Sequence, residues 1–284
     1  MKHAILVLAH GDLTVLKYQM RILDDSRFDF FIHIDKKSNN SGEELQNICK
    51  HSNVFITQQI AVYWGHSSIN DATMLLIHEL INSGYSYDYV HLLSGADLPI
   101  KRPDEIDRFF ENNSGKEYVV IWKVANWRTN YRYPLVKLYR RTGNEKLNKI
   151  KKFLISRIVR LPRRKNTSLR KDKEWDTYCG DQWWSYTWKF VNYINNIGDA
   201  ILPYFKDCYL TDECFTQTIL MNSIKFSQEH SNVKTREIRW DNYSPHVWKS
   251  TEIEDLLKSD ALFARKFDYT EIDAVKEIAQ RLLD

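Results

Sequence analysis

The chain has 284 residues, 43% of them hydrophobic, and a formal net charge of +4, which is enough apolar content for a sizeable core in one large domain or two small ones. No apolar run approaches the ~20 residues of a membrane-crossing helix, and the opening MKHAILVLAHGD is too short in its apolar part for a secretory signal, so neither a spanning nor an exported chain is expected.

Residues 4–9 (AILVLA) read as a first buried strand, and FDFFIHID as a second. Between them Leu13, Leu16, Met20 and Leu23 recur at helical spacing. NVFIT is a third strand. SSINDATMLLIHELINSG is a helix opened by Ser67 or Ser68 and closed by Gly84. YDYVHLLSG is a fourth strand, RPDEIDRFFENN a helix with Pro103 in its first turn, and EYVVIW a fifth strand. This alternation predicts an α/β fold whose first 125 residues form a parallel sheet with helices on both faces. The second half is less regular: a basic stretch at 137–173, DQWWSYTWKFVNYI as a strand turning into a helix, a helix over 212–223, the strand TREIRW, and helices over 251–258 and 270–282. With no internal repeat and no Gly/Ser linker, residues 1–284 are expected to form one domain.

The net charge hides an asymmetry. Residues 137–173 carry 15 Lys and Arg against 2 acids, a local +13 that leaves −9 on the rest of a chain totalling +4. Within it Leu147, Ile150, Leu154, Ile158 and Leu161 recur at three- and four-residue steps, the pattern of a basic amphipathic helix that lies on anionic membranes. A nucleic-acid partner is not expected, because no recognition motif is present and the acidic remainder repels phosphate. Cys49, Cys179, Cys208 and Cys214 show neither CxxC nor metal-ligand spacing, and free thiols in a reducing compartment are expected. The load of 9 Trp, 16 Tyr and 13 Phe suits core packing and equally a cleft that stacks sugars.

In open α/β sheets ligands bind beyond the carboxyl ends of the strands. There Ala9 and His10 end the first strand, Asp35 follows the second, and Asp97 follows the fourth in LLSGADLPIK. Asp35 is placed to accept hydrogen bonds from a ribose or base, or to cap its own loop. Neither GxGxxG nor GxxxxGK[ST] occurs, which argues against a dinucleotide or P-loop site. In LTDECFTQTILMNS, Thr211 or Asp212 has the chemistry of an N-cap, and Glu213 suits the positive end of a helix dipole.

The motifs YWGHSSI (63–69), HLLSGADLPIK (91–101), CGDQWWSYT (179–187), LTDECFTQTILMNS (210–223), REIRW (236–240) and LFARKFD (262–268), in this order and spacing, resemble glycosyltransferase family 14. That family holds the core-2/I-branching β-1,6-N-acetylglucosaminyltransferases and the protein O-xylosyltransferases. The resemblance implies a GT-A type nucleotide-sugar fold with a mixed central sheet, and inverting transfer from a UDP-sugar to an acceptor hydroxyl. It makes Glu213 the catalytic base. It puts the donor diphosphate on a basic pair, Lys266 and Arg236, with Arg265 beside them. Trp64, Gly65, Asp97, Gln182 and Trp183 line the sugar and acceptor part of the cleft. Gln182 holds a position that varies within the family, which leaves the acceptor open.

No Asp-x-Asp motif occurs, so neither a metal nor another cofactor is expected, and fixed cations take over the neutralisation of the leaving group. N-acetylglucosamine is the expected donor sugar, with xylose or another hexose as alternatives. The acceptor is expected to be a glycan or lipid-linked glycan in surface polysaccharide synthesis. Eukaryotic members have a membrane stem and disulfides; lacking both in this reading, the chain resembles a bacterial, cytoplasmic member held peripherally at the inner membrane face by 137–173. The alternative is a basic membrane- or nucleic-acid-binding protein without catalysis.

Overall fold

The computed structural model describes residues 1–38, 40–133, 164–166, 169–241 and 244–284. Its first strand, β1 (His3–Ala9), is buried along its whole length. Successive side chains point to opposite faces, and both faces are covered: Ala4, Leu6 and Leu8 join one apolar cluster, Ile5, Val7 and Ala9 another. From there the chain forms α1 (Thr14–Ile22), β2 (Phe28–Ile34), β3 (Val54–Ile56), α2 (Ser68–Asn82), β4 (Tyr89–Ser94), β5 (Asp97–Pro99), α3 (Pro103–Asn112), β6 (Glu117–Tyr118), β7 (Ile121–Val124) and β8 (Tyr131–Arg132). Then come β9 (Arg164–Lys165), α4 (Leu169–Lys173), β10 (Tyr178–Gly180), β11 (Ser185–Thr187), α5 (Trp188–Phe205), α6 (Phe215–Met221), α7 (Ile224–Gln228), β12 (His230–Ser231), β13 (Arg236–Ile238), β14 (Trp240–Asp241), β15 (Ser244–Pro245), α8 (Ile253–Leu257), β16 (Phe263–Arg265) and α9 (Ile272–Leu283).

Seven strands make the central sheet, in the order β12-β6-β11-β4-β1-β2-β3. β1 pairs parallel with β2 and β4, β2 with β3, and β12 with β6, while β11 runs antiparallel to both neighbours. The sheet is therefore mixed through β11 alone, with helices on both faces. Residues of α2, α5 and α6 pack on one face, and those of α1 and α3 on the other. Outside α1 lies a third cluster, built from α8, α9 and the strands β5 and β16 of the small sheet β13-β16-β5. That small sheet and the ribbon β7–β10 stand where the parallel strands end, and they supply most of the site.

Three expectations need correction, and a fourth falls outside the described residues. EYVVIW is not one strand, because the chain leaves the central sheet after Tyr118 and β7 pairs with β10 instead. The helix expected over 212–223 begins only at Phe215; residues 211–214 form a turn in which Cys214 and Phe215 donate their N–H groups to the Thr211 carbonyl, and neither Thr211 nor Asp212 caps it. Cys179 and Cys214 are not free: their Cα atoms lie 4.4 Å apart, within bridging range, and they form a disulfide. Cys49 and Cys208 are free thiols. The amphipathic run at 147–161 lies outside the described residues, as do all of 137–163 and 167–168. Of the basic stretch, β9 pairs with β8 and α4 is a five-residue helix.

Candidate active site

The ends of β1 and β2 meet through the Asp35 N–H, which donates to the Ala9 carbonyl at 2.9 Å. The Asp35 carboxylate is already occupied: it accepts the Lys37 N–H at 2.9 Å and the Val62 N–H at 3.3 Å, and pairs with Lys37 Nζ at 3.2 Å. It thus acts as an acid that ties two loops at the edge of the cleft. Beside it the His10 ring is held below its ordinary pKa, first by desolvation and then by Lys266 and Arg265. The structure therefore brings His10, Arg265 and Lys266 within electrostatic reach of one another beyond the end of β1. Lys266 is partly exposed, with Asp268 at 3.7 Å from its ammonium.

Asp97 is fully buried, and its oxygens accept from the Ser94 N–H and Ser94 hydroxyl, both at 2.8 Å, and from Arg265 at 2.7 Å. Arg265 also bonds the Ser94 hydroxyl and lies over the Trp183 ring, 4.6 Å from its centroid. The β5–β16 pairing places Asp97 opposite Arg265. Asp97 and Trp183 therefore hold the Arg265 guanidinium, a charge-assisted bond on one side and an aromatic face on the other.

Arg236 lies deeper. It is 7% exposed, and its guanidinium donates to the Ser185 hydroxyl at 2.8 Å and to the Trp184 carbonyl at 2.6 Å, over the Phe263 ring. Burial brings its pKa down to about 10, against the pull of Asp97 and Asp181. Its Nε–H has no partner among the described residues. The charge is felt by Asp97 on one side and by Asp181, one of a group of carboxylates, on the other.

Those carboxylates are Glu213, Asp212 and Asp181. Glu213 sits in the 211–214 turn, fixed from two sides: the Gly180 N–H donates to its carbonyl at 2.8 Å, and the disulfide joins the residues next to each. Its carboxylate lies 3.0 Å from Arg128 Nη1, which also donates to the Leu210 carbonyl at 3.0 Å. Burial raises the Glu213 pKa, Arg128 opposes that rise, and Asp181 adds to it. Asp212 is pushed up to about 7 by burial and by the Glu213 charge. One of its oxygens has no partner among the described residues. Asp181 is raised by burial, and the Gln217 side chain donates to its carbonyl at 2.6 Å. Gln182 follows it in the β10–β11 loop, its amide nitrogen buried with no partner among the described residues.

The 63–66 loop reaches the same turn. The Leu210 N–H donates to the Gly65 carbonyl at 2.9 Å, and Trp64, 55% exposed, meets the Tyr209 ring edge-on at 6.0 Å. Gly65 has φ +69°, and a Cβ there would stand 2.8 Å from the Tyr209 ring. Only glycine meets both conditions.

The predicted residues thus form two groups joined over Arg236: His10, Asp35, Asp97, Trp183, Arg265 and Lys266 at one end, Glu213 with Trp64, Gly65 and Gln182 at the other. Arg128 escaped the sequence reading, as did Asp181, although it adjoins Gln182 in a motif already singled out; Asp212 was read from the sequence as a helix cap alone. Arg128 gave no signal, since ANWRTN has neither periodicity nor a motif. Among the described residues no three His, Cys, Asp or Glu side chains are grouped to hold a metal ion.

A family model for the Core-2/I-branching enzyme matches residues 4–260. Xylosyltransferase 2 of Mus musculus is 24% identical over 300 residues, covering 97% of this chain and 33% of the relative. The β-glucuronosyltransferase GlcAT14A of Arabidopsis thaliana is 22% identical over 276 residues, covering 90% and 59%. The chain thus spans between a third and three fifths of the length of these curated relatives. Among solved structures, S. aureus TarS 1–349 aligns with a TM-score of 0.43 at 10% identity, covering 100% of this chain and 65% of that one.

Proposed function

The chain belongs to the Core-2/I-branching enzyme family, and from that premise we propose that it is an inverting glycosyltransferase using a UDP-sugar, with N-acetylglucosamine as the sugar and a hydroxyl of a glycan or lipid-linked glycan as acceptor. The observation that carries this reading is Glu213: a half-buried carboxylate of raised pKa, held at one end of a cleft by Arg128, with His10, Arg265 and Lys266 at the other.

In the proposed step the acceptor oxygen attacks the anomeric carbon from the side opposite the diphosphate, and its proton passes to the Glu213 carboxylate. The bond from the anomeric carbon to the phosphate oxygen breaks, its electron pair stays on the leaving diphosphate, and inversion gives a β-linkage. A base is most useful when its pKa approaches the working pH, and burial moves Glu213 in that direction. Lys266 and Arg265 take the charge that develops on the diphosphate; Arg265, held in place by Asp97 and Trp183, needs no reorganisation as it forms. The reading therefore assigns this neutralisation to protein cations. The exposed Trp64 and the Tyr209 ring offer apolar faces to the acceptor sugar. We further propose that 137–173, with its local +13, holds the enzyme at an anionic membrane surface in glycan assembly.

The test is transfer, and donor hydrolysis, with UDP-N-acetylglucosamine, UDP-xylose and UDP-glucuronic acid; the last two are included because of the activities named for the relatives. Glu213→Gln keeps the size of the side chain but cannot accept the proton, and is expected to lose ~10²–10⁴-fold in turnover while still binding donor. Near wild-type turnover in that variant would remove Glu213 from the mechanism.

A further inference from the structure

A line of buried polar groups crosses the central sheet and ends on Arg236. Asp107 of α3 accepts from His3 Nε2 of β1 at 3.0 Å, and His3 Nδ1 meets His91 Nε2 of β4 at 3.0 Å. His91 Nδ1 meets the Ser185 hydroxyl of β11 at 2.7 Å, and Arg236 Nη1 of β13 donates to that hydroxyl at 2.8 Å. His3, His91 and Ser185 are fully buried. Four hydrogen bonds thus join five side chains from five elements.

With Asp107 ionised and both imidazoles neutral, only one arrangement of protons satisfies them. An ionised Asp107 can only accept, so His3 Nε2 carries a proton. A neutral His3 then accepts at Nδ1, so His91 donates from Nε2. A neutral His91 accepts at Nδ1, so the Ser185 hydroxyl proton points to it and the Ser185 lone pairs face Arg236. Arginine can only donate, and the hydroxyl so turned accepts from it. A charged ring would instead turn Ser185 into an acceptor from both sides and place that charge in a fully buried site, which desolvation opposes. The surroundings agree: desolvation lowers both histidines, His3 to about 4, against Asp107 and Asp88 on one side and with Arg236 adding to the effect at His91. Asp107 is held low at about 2 by its bonds to the N-terminal ammonium, His3 and Arg27.

We propose that His3 and His91 are positioning residues: a neutral, Nε2-protonated relay that orients Ser185 and, through it, the Arg236 guanidinium. The relay and the Thr235 hydroxyl occupy Nη1 while the two carbonyls of Leu92 and Trp184 take Nη2, which leaves the buried Nε–H as the one guanidinium donor without a partner among the described residues. The link to the donor rests on the expectation that Arg236 serves its diphosphate.

The experiment uses the full chain and UDP as the probe. Arg236→Gln tests the underlying role. His91→Leu removes both relay bonds, while His91→Gln restores an acceptor and a donor in one amide. Expected are UDP binding weakened about tenfold or more in Arg236→Gln and in His91→Leu, recovery in His91→Gln, and histidine nitrogen NMR showing two Nε2-protonated, uncharged rings from pH 8 to pH 5. If Arg236→Gln binds UDP normally, the diphosphate role falls. If Arg236→Gln is impaired while a folded His91→Leu binds like wild type, or if either ring is charged or Nδ1-protonated, the relay is overturned.

Discussion

Arg128 Nη1 stands 3.0 Å from the Glu213 carboxylate and the same distance from the Leu210 carbonyl, so one guanidinium sets both the charge state and the backbone of the turn that carries the proposed base. Burial raises the Glu213 pKa and Arg128 pulls it back. The base works when ionised, so activity is lost as pH falls through its pKa. Arg128→Gln removes the downward pull, the pKa rises further, and the acid limb of the kcat/KM profile should move up by about 1 pH unit or more. An unshifted limb would mean that the ion pair does not govern the base.

Lys266 is the cation at the donor end that no hydrogen bond to Asp97 or Trp183 ties down, and its nearest acid lies 3.7 Å away. Lys266→Ala should lower turnover by ~10²-fold or more, as removal of a charge that stabilises the leaving group does. Wild-type transfer should persist in excess EDTA. Loss of activity in EDTA that Mn²⁺ restores would transfer the neutralising role to a metal.

The basic segment should bring the chain to anionic vesicles. Sedimentation with phosphatidylglycerol-rich liposomes is expected at low salt and should weaken as salt screens the charges. Failure to sediment at low salt would discard the membrane reading and leave catalysis untouched.

Glu117 links pH to stability. It is fully buried on β6, accepts from the Thr187 N–H at 2.8 Å and the Thr187 hydroxyl at 2.5 Å, and burial pushes its pKa from 4.5 up to about 8. A group that holds its proton more tightly when folded stabilises most below its unfolded pKa and loses that contribution as pH rises through the folded one. Urea unfolding should therefore show stability falling from pH 5 to pH 8.5, on the order of 2–4 kcal/mol, with a smaller fall in Glu117→Gln. Equal slopes would place the titration elsewhere.

Much of the fold was legible in the sequence because β1, β2 and β4 are apolar on both faces, and that pattern admits few alternatives to a covered central strand. The split of EYVVIW was not legible, since Val119 and Val120 carry no sign of where the chain changes partners. The start of α6 was misread for a related reason: Thr211 and Asp212 have capping chemistry, yet the turn is closed by backbone bonds and by a cysteine distant in sequence. Among site residues, motifs placed Glu213, Lys266 and Arg265 in one cleft. They did not show that the Asp35 and Asp97 carboxylates are spent on neighbouring N–H groups and Arg265, or that Arg236 turns toward the sheet. Such facts depend on orientation, which spacing does not encode.

The bond between Cys179 and Cys214 also changes what the chain is as a covalent object. Residues 179–214 form a closed ring that contains β11, the whole of α5 and Glu213 on its rim. A single cut by a protease anywhere inside the ring leaves one molecule, whose two pieces part only when the sulfurs are reduced. An enzyme nicked there would keep its proposed base tethered to β10, and damage at that place would escape notice on any gel run without a reductant.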